Sequence, residues 1–85
     1  MKRIEIVPIA RKKLHQRGIP ESWVLETITT PDQIADGYGN RSVAQKKYSV
    51  RGKEYLFRVV FEDKEDCFLV ITGYLTSQIS RYWKE

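Results

Sequence analysis

One cysteine and one histidine in eighty-five residues leave little room for several familiar kinds of chemistry. With Cys67 alone, no internal disulfide can form and no cysteine-based metal cluster can be built. Phe68, Leu69 and Val70 follow it, so Cys67 reads as a buried structural thiol and not as a nucleophile. His15 stands in an Arg-Lys-Lys-Leu-His-Gln-Arg run, where a single imidazole makes no metal site and reads as a surface residue. Also missing are a serine–histidine–acid grouping, a paired-carboxylate signature, a P-loop and a Gly-x-Gly-x-x-Gly turn. Nowhere do about eighteen apolar residues run together, and Met1-Lys2-Arg3-Ile4-Glu5 is no apolar leader. The expectation is a cytoplasmic chain with no membrane span, signal peptide, cofactor or metal. If it is an enzyme, it works with Arg, Lys, Tyr and Ser or Thr.

What is present suffices for a small folded domain. Aliphatic and aromatic residues make up 41% of the chain, which supports a core and argues against disorder. The length allows one domain, residues 1–85, of modest stability. The net charge of +4 divides evenly, +2 from Met1 to Ser42 and +2 from Val43 to Glu85. No basic tail exists, so any cationic site must be assembled by folding. A pI near 9.3 points to an acidic partner or a nucleic acid.

Punctuation divides the chain. Lys2 to Val7 alternates loosely and reads as a short strand or an extended lead-in. Pro8 suits the first turn of a helix carrying Ile9, Ala10 and Leu14, and Gly18 closes it as the residue beyond the cap. Pro20 opens a second helix with Glu21 in its first turn and Trp23, Val24, Thr27 and Ile28 at helical spacing. Thr29-Thr30-Pro31 ends it. Pro31 to Arg41 reads mostly as loop, with Ile34 and Ala35 able to pair briefly. Val43 to Val50 alternates as a strand, and Arg51-Gly52-Lys53 makes a turn. In the next strand Tyr55, Phe57, Val59 and Phe61 share one face, and Leu56, Arg58, Val60 and Glu62 the other. Past Asp63-Lys-Glu-Asp, the run from Cys67 to Tyr74 is apolar on both faces and belongs inside a sheet. Ser77 to Trp83 reads as a closing helical turn. The order is β–α–α–β–β–β with a terminal helix: an α+β fold, a two-helix hairpin on a small antiparallel sheet.

Arg58 stands out because an unpaired charge between Leu56 and Val60 is costly. It reads either as a snorkelling or salt-bridged arginine, or as a phosphate-binding arginine whose fork suits phosphate oxygens. Lys46, Lys47, Arg51 and Lys53 lie close to Arg58 along the meander, as added positive potential or as a solvated strand edge. Lys13 and Arg17 share a helix face. Thr76 and Ser77 read as a helix cap or as site residues. Arg81 and Tyr82 supply a cation and a phenol for proton transfer or base stacking, or pack on the sheet with Trp83.

Two stretches carry a family likeness. Ile9-Ala-Arg-Lys-Lys-Leu-His-Gln-Arg-Gly-Ile-Pro, Val24 and Thr30-Pro-Asp resemble the "His-Ala…Arg-Gly-Ile…Val…Pro-Asp" opening of the DUF4258 family of small bacterial proteins. Val70-Ile-Thr-Gly-Tyr-Leu-Thr-Ser-Gln-Ile-Ser-Arg-Tyr-Trp resembles its "Val-Thr-x-Tyr-x-Thr-Ser-x-Ile-x-x-Tyr" close. That family is similar in layout to RelE/ParE-like and BrnT-like toxins of bacterial toxin–antitoxin pairs. The resemblance implies a metal-independent ribonuclease (an mRNA interferase), RNA that can be ribosome-bound as substrate, and a cognate antitoxin as partner. By motif position it implies RNA-binding roles for Arg17, Tyr74, Thr76, Ser77 and Tyr82. The residues themselves add Arg58 and Arg81, with Tyr82, as catalytic candidates, and Lys46 and Arg51 as RNA-binding ones. Ile9 stands where the family has histidine, which leaves open a non-catalytic protein- or nucleic-acid-binding module of the same fold.

Overall fold

Pro8 and Gly18 frame the first helix by two separate physical devices. The computed structural model describes residues 2–85, in the order β1 (Arg3–Ile6), α1 (Pro8–Gln16), α2 (Glu21–Thr29), β2 (Gln33–Asp36), β3 (Arg41–Val50), β4 (Lys53–Asp63), β5 (Cys67–Thr76) and α3 (Ile79–Tyr82). Pro8 sits in the first turn of α1, where its missing N–H leaves no bond unmade. At the other end Gly18 adopts φ 68°. Its N–H donates to the His15 carbonyl at 3.0 Å, and the Ile19 N–H donates to Leu14 at 2.9 Å. This is the double bond of a Schellman motif, and it buries Ile19 in the same cluster as Leu14.

The five strands form one sheet in the order β1-β5-β4-β3-β2. Two features differ from the sequence expectation. The sheet is mixed, because β1 runs parallel to β5, from Arg3 opposite Cys67 to Ile6 opposite Val70. A parallel neighbour needs a crossover, and the α1–α2 hairpin supplies it, carrying the chain from β1 on one edge to β2 on the other. A fifth strand also exists. Ile34 and Ala35 do pair, as the centre of β2, antiparallel to β3. The expected central strand, β5, is indeed interior, between β1 and β4.

Strand alternation then makes two unlike faces. On one, Ala44, Phe57, Val59, Phe61 and Val70 join Leu14, Ile19 and Val24 of the helical layer in the core. Trp23 stacks on Tyr48 with ring centroids 4.2 Å apart, and Phe57 meets both edge-on. Gly73 gives them room: a Cβ there would lie 3.3 Å from the Phe57 ring. The other face carries Val43, Gln45, Arg58, Val60, Thr72 and Tyr74. No helix of the long crossover covers it. A β-bulge between Val60 and Phe61 leaves Ile71 unmatched and kinks β4 and β5 at the rim of this face.

Candidate functional site

Arg58 lies mid-strand on β4, the central strand, opposite Gln45 of β3 and Tyr74 of β5. The cross-strand register therefore dictates its company. Its Nε donates to Gln45 Oε1 at 2.7 Å, and an Nη donates to the Tyr74 hydroxyl at 2.5 Å. The Tyr82 ring lies 4.0 Å from its guanidinium carbon, a cation–π contact. All these partners are neutral. Among the described residues, no carboxylate lies within ion-pairing distance of Arg58. A half-buried guanidinium is thus oriented by its neighbours without an opposing carboxylate.

The same face contains a contrasting arginine. Arg41, opposite Glu62, places its Nε 3.3 Å from that carboxylate. Lys64 also reaches Glu62 at 3.0 Å. Lys64 first, and then Arg41, hold the Glu62 carboxyl below its ordinary range. Arg41 is thus a neutralised cation, whereas Arg58 is not. Between them runs an open cleft of about 490 Å³, with Val43 and Val60 as apolar lining and Arg58, Thr72 and Tyr74 at one side. Gly37, Tyr38 and Arg41 line the rest with Asp36, and Tyr38 is almost wholly exposed.

A glutamine pair that sequence reading did not single out supports Arg58. Gln45 is fully buried. Its carboxamide nitrogen donates to Gln33 Oε1 at 3.1 Å and to the Tyr82 carbonyl at 3.3 Å. Gln33 in turn clasps the backbone of Lys84, accepting from its N–H at 3.0 Å and donating to its carbonyl at 2.5 Å. The segment after α3 is thereby pinned across the face, with the Lys47 ammonium 4.0 Å over the Trp83 ring. The only sequence signal was a polar residue directly after apolar Val43 and Ala44, too common a pattern to single out Gln45.

The candidates of the sequence divide into two groups. Arg58, Tyr74 and Tyr82 come together. Arg81 is adjacent, its guanidinium carbon 5.4 Å from the Tyr82 ring, and it bonds Gln78 at 3.3 Å. Thr76 accepts from the Gln78 N–H at 3.1 Å, turning the chain into α3, and Ser77 is exposed beside it. Three residues lie elsewhere. Lys46 alternates to the helix-covered face and donates to the Thr30 carbonyl at 2.9 Å, 4.0 Å from Asp32. Arg17 donates to the Gly73 carbonyl at 3.2 Å, in the stretch of β5 beyond its last β1 partner. Arg51 occupies the tip of the β3–β4 turn. Ile9 is exposed on α1, in the layer on the opposite side of the sheet from Arg58.

Residues 10–74 match the family model described as Domain of unknown function (DUF4258). That span includes Arg17, Lys46, Arg51, Arg58 and Tyr74, while Ile9 and α3 lie outside it. No curated protein and no solved structure matches the chain.

Proposed function

The chain belongs to the DUF4258 family, and from the face that carries Arg58 we propose that it is a bacterial toxin-type ribonuclease on a RelE-like sheet. The observation behind this reading is the charge state of Arg58: half-buried, oriented by Gln45 and Tyr74, and not neutralised. Such a fork suits the non-bridging oxygens of a phosphodiester. Single-stranded RNA would lie along the cleft with a phosphate at Arg58 and a base over Val43 and Val60, beside Tyr38.

In this reading the ribose 2′-hydroxyl attacks phosphorus, the bond to the 5′ oxygen breaks, and a 2′,3′-cyclic phosphate results. The 2′-hydroxyl proton leaves to solvent. Arg58 and Arg81 meet the negative charge that builds on the phosphorane oxygens. Tyr74 accepts its hydrogen bond from Arg58 through its oxygen, so its own proton points away and is available to the departing 5′ oxygen. Tyr82 presents a ring face to Arg58, so it holds the cation while Tyr74 handles the proton. An acidic or amphipathic antitoxin segment would bind the same cationic face.

One observation favours a second reading, a binding module that does not cut. The lone histidine lies on α1, behind the sheet, so no imidazole base stands beside Arg58. Induced expression in a bacterial host, with growth and total RNA followed together, separates the two. The ribonuclease reading expects growth arrest and RNA cleavage in wild type, with both absent in a folded Arg58→Ala variant. Intact RNA with undisturbed growth would remove it, and RNA binding without cleavage would leave the module.

A further inference from the structure

We infer that Gln45 is a positioning residue, built to orient the Arg58 guanidinium without neutralising it; this rests on the phosphate-binding reading of Arg58. The geometry gives each end of the carboxamide a separate task. Its oxygen accepts from Arg58 Nε at 2.7 Å. Its nitrogen donates to Gln33 Oε1 and to the Tyr82 carbonyl, at 3.1 and 3.3 Å. Only one flip of the amide satisfies all three bonds, because Arg58 is donor only and a carbonyl is acceptor only. Gln45 has no exposed surface, so water cannot replace any of these partners.

The choice of an amide is what matters. A carboxylate would fit the same space and would accept from Arg58 equally well, while losing the two bonds donated to Gln33 Oε1 and the Tyr82 carbonyl. It would also form a buried ion pair and cancel the charge that an incoming phosphate must find. An apolar side chain of similar volume would fill the space and release the guanidinium. Glutamine alone among isosteres fixes the fork and leaves its charge intact. The Gln33 clasp on Lys84 extends the device to the chain end, since the nitrogen of Gln45 also holds the carbonyl of Tyr82, whose ring lies against Arg58.

The test is NMR of the arginine Nε–H groups, with inorganic phosphate as probe, on wild type, Gln45→Glu and Gln45→Met. In wild type the Arg58 Nε–H is expected to exchange slowly and to shift on adding phosphate. Gln45→Glu keeps the slow exchange, and its apparent phosphate affinity falls about tenfold or more. Gln45→Met loses the slow exchange. Thermal melts accompany each variant, and Gln45→Glu, which keeps the bond, covers the case in which Gln45→Met does not fold. Fast exchange of Arg58 Nε–H in wild type, or an undiminished phosphate response in Gln45→Glu, overturns the inference. Slow exchange in wild type and Gln45→Glu with no phosphate response in wild type keeps the clamp and removes the phosphate reading instead.

Discussion

The two faces of one sheet are made by alternate residues of the same strands, and they solve opposite problems. Phe57 and Arg58 are neighbours on β4, yet one is sealed under two helices and the other lies in an open cleft. On the covered face the cations are tied down. Lys46 donates to Thr30, and Arg17 to Gly73. On the open face the central cation is held by neutral groups only. The difference teaches that the pleat of one short strand can put a packed aromatic core on one surface and a cation with no opposing carboxylate on the other.

The sharpest way to break that comparison is to truncate each neighbour. A domain of this length has roughly 4–13 kcal/mol of stability in all. Phe57→Ala empties a fully buried site that touches Trp23 and Tyr48, at a cost of about 3–5 kcal/mol. Arg58→Ala costs about 1–2 kcal/mol, mainly by leaving Gln45 Oε1 without its donor. Denaturant unfolding should rank them so, and RNA binding should rank them in reverse. Equal losses of stability would show that the open face is part of the core.

Gly73 tests the covered face more gently. A side chain there meets Phe57 at 3.3 Å and Leu14 at 3.4 Å, so Gly73→Val is expected to destabilise by about 1–3 kcal/mol in spite of valine's strand preference. An unchanged melting temperature would mean that the helical layer yields more easily than its packing implies.

Tyr48 separates the faces by pH. Burial, aided by the Glu26 carboxylate 2.9 Å away, pushes its phenol up to about 12 from an ordinary 10. The folded state thus binds this proton more tightly than the unfolded chain does. The resulting stability is fully present below about pH 10 and is lost as the pH rises through about 12. Melting temperatures across that window should fall less steeply for Tyr48→Phe than for wild type, and identical slopes would contradict the assignment.

The smallest effect belongs to the hairpin tip. Arg51 and Gly52 have φ of 52° and 77°, so both central positions of the turn are left-handed. Arginine is a poor fit there and asparagine a good one. Arg51→Asn is expected to gain a few tenths of a kcal/mol, raising the melting temperature by a few degrees, with RNA binding unchanged. A loss of RNA binding would return Arg51 to the candidate site.

Much of this division was legible in the sequence, and the gaps have physical causes. The alternation along 55–62 identified both faces of β4, and Pro8, Gly18, Pro20 and Pro31 placed the helices. Gly-rich spacing hid β2, because four residues flanked by turn formers carry too little periodicity. The parallel pairing of β1 was invisible, since direction is set by the crossover and not by local pattern. Arg58 could be singled out because a lone charge in an apolar strand is conspicuous. Whether a carboxylate would pair with it depended on the residues opposite, and register is a tertiary fact. Lys46 was grouped with Arg58 by closeness along the meander, and strand alternation puts it on the other face. Gln45 and Gln33 escaped notice because a carboxamide network exists only once strands, tail and helix meet.

The most direct test of the two-face account is an NMR titration of the protein with a short single-stranded RNA, read at every backbone and arginine resonance. The account predicts shifts clustered at Val43, Arg58, Val60, Thr72, Tyr74 and Tyr82, with Leu14, Trp23 and Phe57 unmoved. Shifts clustered instead on the basic outer surface of α1, at Arg11, Lys12 and Lys13, would contradict it.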